Sequence, residues 1–310
     1  MGWCGLKTNK RLDEAYSGAQ TMMVDEDTKL IFFSDVHRGD NSMSDEFAHN
    51  QNIYFHALSK YLEEGYTYVE LGDGDELWEH AKFKDIRGAH SDVFCLLREF
   101  YQRGRFHMLF GNHNMAVRNR RFVEKNMYRF YDEYLDKQSE LFPGLVAVEA
   151  IRFVYRKTGQ EFLAVHGHQG DLFNDQLWWI SMFSLRNFWR YMHTIGLHNP
   201  ASPAKNRVKR HKIEVNFSRW IRDKDIAILC GHTHRPKFPK GKELPYFNTG
   251  CCIHPRGING IEIRDGQIML IDWRIRPQED GQLVISKKVI RGPVPLERYT
   301  RNKTKRKGFR

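Results

Sequence analysis

Five short motifs along this 310-residue chain end in residues that bind hard or borderline metal ions. In order they are Asp35-Val36-His37, Gly72-Asp73-Gly74-Asp75-Glu76, Gly111-Asn112-His113-Asn114, His166-Gly167-His168 and Gly231-His232-Thr233-His234. Together they offer carboxylate, amide and imidazole donors in numbers sufficient for two metal ions. Donors of this mixed oxygen and nitrogen type, without a thiolate, suit Mn, Fe or Zn better than Ca or Mg.

For such donors to converge, something rigid must present them. An apolar, β-rich run precedes every motif: LIFF, YTYVEL, RFHMLF, EFLAV and IAILC. A side chain at the C-terminal end of a buried strand is fixed at the rim of a sheet, where open α/β folds place their sites. Between these runs the spacing predicts helices over about 45–64, over 91–102 with Ser91 as its N-cap, and around 122–137. Further strands are predicted over 145–155, 245–249, 260–263, 267–274 and 283–290, with Asp265-Gly266 marking a tight hairpin. The expected fold is α/β, a two-sheet β-sandwich flanked by helices. Residues 1–27 read as an N-terminal extension, 28–290 as the domain and 291–310 as a basic tail.

The ordered set resembles the calcineurin-like metallophosphoesterase superfamily, whose pattern is D-x-H, G-D-x-x-[DE], G-N-H-[DE], a lone His and G-H-x-H. The resemblance runs from about Lys29 to Cys252 and misses one position. It implies that Asp35, His37, Asp73 and His234 hold one divalent ion, and that Asp73, Asn112, His166 and His232 hold a second. Asp73 would bridge, binding one ion with each carboxylate oxygen. The pair, roughly 3.5–4 Å apart, would hold a hydroxide for in-line attack on phosphorus. His113 resembles the family's imidazole that protonates the leaving oxygen, and would be the catalytic residue.

The departure is Asn114, where the pattern has Asp or Glu. Without a carboxylate to stabilise its imidazolium, His113 should be a weaker acid catalyst. That favours a leaving group that needs little protonation, such as the phosphate of a pyrophosphate. Arg38, beside His37, could reach a substrate phosphate. Asp75, Glu76, His168 and Asp171 read equally as supporting hydrogen-bond partners or as structural residues.

The net charge is +11, concentrated in residues 201–224 and 301–310, which carry +6 each and leave the rest of the chain at −1. The segment 172–224 interrupts the alternation: LWWISMFSLRNFWRYMHTIGL is aromatic, and NPASPAKNRVKRHK is basic. It reads as a helical insertion, with too many polar residues for a membrane span of roughly 20 apolar residues. Cys4, Cys95, Cys230, Cys251 and Cys252 are scattered and odd in number, as expected of reduced thiols in a cytoplasmic protein.

Within the superfamily, the spacing looks most like the branch that cleaves UDP-2,3-diacylglucosamine at its pyrophosphate. The resemblance therefore implies a phosphate-containing substrate, a lipid-linked or nucleotide-sugar compound among the candidates, with peripheral membrane contact through the insertion. The alternatives are a nuclease, for which the basic patches would neutralise phosphates, and a serine/threonine-type phosphoprotein phosphatase.

Overall fold

The computed structural model describes residues 3–132, 135–171, 182–183 and 207–299. Their core is a pair of facing sheets. One has six strands in the spatial order β13 (Leu283–Pro295), β12 (Gln267–Pro277), β11 (Ile258–Arg264), β2 (Leu30–Phe33), β3 (Thr67–Leu71) and β4 (Phe106–Leu109); the other has five, in the order β1 (Gln20–Val24), β7 (Ala150–Tyr155), β8 (Gln160–Val165), β9 (Ala227–Cys230) and β10 (Tyr246–Asn248). The ligand-bearing strands are β2 (Leu30–Phe33), β3 (Thr67–Leu71) and β4 (Phe106–Leu109) in the first sheet, with β8 (Gln160–Val165) and β9 (Ala227–Cys230) in the second. The first three run parallel to one another, and β8 runs parallel to β9.

Strand periodicity of two makes these runs apolar on both faces. Leu30, Phe32, Val69 and Leu71 point into the layer between the sheets, where they meet Phe153, Phe162, Ala164 and Leu229. Ile31, Phe33 and Tyr68 point outward beneath the helices α2 (Gln51–Glu63) and α4 (Ser91–Gln102). α4 starts at Ser91 itself, with His90 in the cap position. On the opposite outer face, Leu163, Val165, Ile228 and Cys230 are covered by α1 (Trp3–Ser17) and α6 (Arg207–Lys224) through Leu12, Ala15, Phe217 and Trp220. The result is four layers, helix, sheet, sheet, helix, as expected from the alternation of patterns.

Several boundaries differ from expectation. The segment read as an N-terminal extension supplies α1 and strand β1 (Gln20–Val24), which pairs in register with β7 (Ala150–Tyr155). The helix expected around 122–137 stops early: α5 covers Arg120–Met127, and the chain then turns into a hairpin of β5 (Arg129–Asp132) and β6 (Lys137–Glu140). Phe130 and Tyr131 had extended the apolar spacing past the true end. Between α2 and α4 lies the short α3 (Phe83–Ala89).

β10 (Tyr246–Asn248) closes the five-stranded sheet. β11 (Ile258–Arg264) and β12 (Gln267–Pro277) form the hairpin at Asp265-Gly266, both of which take positive φ. The last strand, β13, covers Leu283–Pro295, so the segment 291–295 of the expected tail is sheet, and Leu296 just beyond it is buried. Of the expected insertion, α6 is part of the outer layer, while the aromatic run at 178–191 lies outside the described residues apart from 182–183.

Candidate metal centre

All five motifs begin where their strands end, along one rim of the two sheets. The first two are laced together by main chain: the N–H groups of Asp35, His37 and Arg38 donate to the carbonyls of Gly72, Asp73 and Gly74 at 2.9–3.1 Å. The N–H of Gly231 donates to the carbonyl of His166 at 2.8 Å, joining the last two. These crossings require close approach. A Cβ at Gly111 would collide with the Asp73 side chain, one at Gly72 with the His166 ring, and one at Gly231 with Ser34 and Asp35. Asp35, His37, Asp73, His232 and His234 all have φ between 50° and 66°. Left-handed backbone at a non-glycine residue costs on the order of 1–3 kcal/mol and persists only where surrounding structure enforces it. Five instances in one place mark a site.

The expected ligands form two triads within coordination reach, Asp35 with His37 and His234, and Asp73 with His166 and His232, and a third group of the same compactness, His37 with Glu76 and His113, adjoins them. In the first, Asp35 Oδ1 lies 3.1 Å from His234 Nε2 and 4.0 Å from His37 Nε2. The other Asp35 oxygen is taken by the Ser34 hydroxyl and by the His232 N–H at 2.9 Å. In the second triad, Asp73 Oδ1 accepts the His113 N–H at 2.8 Å. Its Oδ2 lies 3.0 Å from His166 Nε2 and 3.9 Å from His37 Nε2. Asp73 thus faces both triads, but with the single oxygen Oδ2 rather than with one oxygen for each.

Whether these groups fit metal ions can be tested on their unmet bonding. Asp35 Oδ1, His37 Nε2, Asn112 Oδ1, His166 Nε2 and His232 Nε2 are buried atoms without a hydrogen-bond partner among the described residues. An unsatisfied buried polar atom costs about 1–3 kcal/mol. Five of them, on five expected ligands, fit a pair of cations. The second nitrogen of His166 is engaged by the Leu71 carbonyl at 3.0 Å, a contact that fixes the ring and leaves Nε2 as the ligating atom.

The electrostatics agree. Burial opposes ionisation of Asp35, yet the His234 and His166 imidazoles outweigh it and hold the carboxyl at about 2. Burial also disfavours charge on His37, but the Glu76, Asp73 and Asp35 carboxylates pull its pKa up to about 10. The same negative field draws divalent ions, which would take the place of that proton. His232 is depressed by burial despite the opposing pull of Asp171, so it remains a neutral donor.

His113 sits at the edge of this cluster. Its Nδ1 lies 2.7 Å from Glu76 Oε2, and its ring stacks on Trp78 with centroids 4.2 Å apart. The expectation that Asn114 deprives His113 of a carboxylate is therefore overturned, since Glu76 provides one from the preceding motif. Asn114 instead holds its own loop, accepting the Gly111 N–H at 2.6 Å.

Arg38 is also corrected. It is fully buried, bonded through Nη1 and Nη2 to Glu70 and through Nε to Asp75, at 2.7–2.9 Å. With both carboxylates engaged, its guanidinium ties the loop after β2 to β3. Of the acids read as supporting or structural, Glu76 bonds two histidines, Asp75 serves Arg38, and Asp171 lies 3.9 Å from His232. His168 is buried, its ring 5.6 Å from that of His166. Trp78 was not singled out from sequence. The only available signal was an aromatic residue two places after the acid of the second motif.

The N-terminal helix supports the fourth motif. Arg11 bonds Glu149 at 2.7 Å, Glu149 accepts from Gln169 at 3.1 Å, and Gln169 accepts the Gly167 N–H at 3.1 Å.

The family described as calcineurin-like phosphoesterase matches residues 28–236. No curated protein matches the chain. Solved structures that resemble it include vacuolar protein sorting 29 from Cryptosporidium parvum, at 10% identity and TM-score 0.37, covering 85% of this chain and 97% of that one. The cold-active protein-tyrosine phosphatase of a psychrophilic Shewanella species is 14% identical, with TM-score 0.40, covering 86% of this chain and 83% of that one. Vps29 from Entamoeba histolytica, solved with zinc, is 10% identical at TM-score 0.38, covering 84% of this chain and 99% of that one.

Proposed function

Because this chain belongs to the calcineurin-like phosphoesterase family, and is accordingly a metal-dependent phosphoric ester hydrolase, we propose specific roles for its residues. Asp35, His37, Asp73 and His234 hold one divalent ion, and Asp73, Asn112, His166 and His232 hold the other. Bound there, Mn, Fe or Zn ions supply an acidified water and neutralise charge on the phosphoryl oxygens. Asp73, whose Oδ2 faces histidines of both triads, would be the residue shared by the two ions. Ser34 and the His232 N–H hold Asp35, and Glu76 orients both His37 and His113. With Nδ1 donating to Glu76, His113 presents Nε2 to the leaving oxygen and gives it a proton as the ester bond breaks.

The observation that carries this reading is the set of five buried atoms without a hydrogen-bond partner on the expected ligands, with His166 and His37 both facing Asp73 Oδ2. The substrate is a phosphate ester. A carboxylate on His113 removes the earlier reason to prefer a pyrophosphate. What supports a lipid-linked or nucleotide-sugar substrate, with peripheral membrane contact, is the aromatic and basic composition of 172–224. Among the described residues no helix is long and apolar enough to cross a membrane.

The test is elemental analysis of the purified chain, followed by assay with Mn on phosphomonoester, phosphodiester and pyrophosphate substrates. Two equivalents of metal and hydrolysis of at least one class are expected. A chain that binds no metal, or that is fully metallated and inert on all three, would overturn the assignment.

A further inference from the structure

Trp78 has no group that would ligate a metal, yet it is buried in the loop after β3 and lies flat against His113, ring planes 26° apart. The imidazole has contacts on several sides. Glu76 holds Nδ1, the His37 ring meets it edge to face with centroids 4.7 Å apart, and the His113 N–H is pinned to Asp73. Glu76 alone fixes one atom of the ring and leaves it free to pivot about that hydrogen bond. The indole face removes this freedom. Aromatic stacking of this kind contributes modestly to stability, but misplacing a reacting group by about 1 Å can cost 10²-fold in rate.

We infer that Trp78 is a positioning residue for proton donation to the leaving group. This rests on the role proposed above for His113. In the step concerned, a water oxygen forms the new bond to phosphorus and loses a proton to solvent. The electron pair of the breaking P–O bond goes to the leaving oxygen, which takes the Nε2 proton of His113. The more basic that oxygen, the more the reaction depends on where Nε2 points. The arrangement suits esters of poor leaving groups, such as alkyl, sugar or unactivated aryl alcohols, and is of little use for an activated ester.

The test compares phenyl phosphate with p-nitrophenyl phosphate, using Mn-loaded wild type, Trp78→Leu, Trp78→Phe, His113→Ala and the His113→Ala/Trp78→Leu double variant, with metal content measured for each. Trp78→Leu should lower kcat on phenyl phosphate by roughly 10- to 100-fold and on p-nitrophenyl phosphate by less than about 3-fold, the gap expected where only the basic leaving oxygen needs the proton, with metal retained. Trp78→Phe, which keeps an aromatic face, should restore most of the phenyl phosphate rate. In the His113→Ala background the Trp78 change should add nothing. Equal loss on both substrates, or loss that tracks metal content, would overturn the positioning role while leaving the hydrolase reading intact. If wild type hydrolyses neither ester nor any other phosphate ester, the reading of the site fails and the inference with it.

Discussion

Glu76 Oε2 lies 2.7 Å from Nδ1 of His37 and 2.7 Å from Nδ1 of His113, so one carboxylate serves both the proposed ligand and the proposed proton donor. Both histidine charges hold Glu76 well below the ordinary carboxylate range although burial opposes ionisation. Glu76→Gln keeps the shape but loses the charge. It should lower metal affinity or activity by roughly 10- to 100-fold, the range for supporting partners of metal ligands. Paired measurements of metal stoichiometry and kcat/KM check this, and an unchanged value of both would count against it.

Asp73→Asn replaces the shared oxygen with a neutral amide. Because Oδ2 faces both triads, both metals should be lost together, with activity down by roughly 10³-fold or more, equivalent to several kcal/mol of transition-state stabilisation. Retention of one full equivalent of metal would show that Asp73 does not link the two positions.

Arg38→Ala should act on stability rather than on substrate binding. Removing the guanidinium leaves Glu70 and Asp75 buried without their cation. Breaking a buried pair in this way costs about 3–5 kcal/mol. Urea denaturation should register that loss, whereas a raised KM in a protein of undiminished stability would return Arg38 to the substrate.

Metal loading should release protons. With its pKa pushed up to about 10 from an ordinary 6.5, His37 is protonated in the metal-free protein near neutrality. The folded metal-free protein binds that proton more tightly than the unfolded chain does. Its contribution to stability is complete below the unfolded value and is lost as pH rises through about 10. Calorimetric titration with Mn at pH 7.5 in two buffers of different ionisation enthalpy should show proton release. Identical heats in both buffers would contradict a protonated His37.

The gathering of Asp35, His37, Asp73, His166, His232 and His234 was legible because each donor lies within a few residues of the strand that places it, so periodicity and motif fall in the same short window. What lay across the fold was not. Glu76 meets His37 and His113 over separations of 39 and 37 residues, and only the packed sheets bring them together. Arg38 looked available because it follows a ligand, but its partners Glu70 and Asp75 belong to the next strand and its loop. The β5–β6 hairpin was hidden because Phe130 and Tyr131 extend the apolar spacing of α5 beyond Met127.

The indole N–H of Trp220 donates to Asp13, a partner 207 residues away in sequence, and β1 finds its register only on Ile151–Tyr155. During synthesis α1 can meet β7 and β8 earlier, but its side facing Phe217 and Trp220 must remain uncovered until α6 has emerged, those 207 residues later in the chain. Long-range closure of this kind is slow and leaves apolar surface open to aggregation. A nascent chain stalled before α6 should therefore be a client for chaperones.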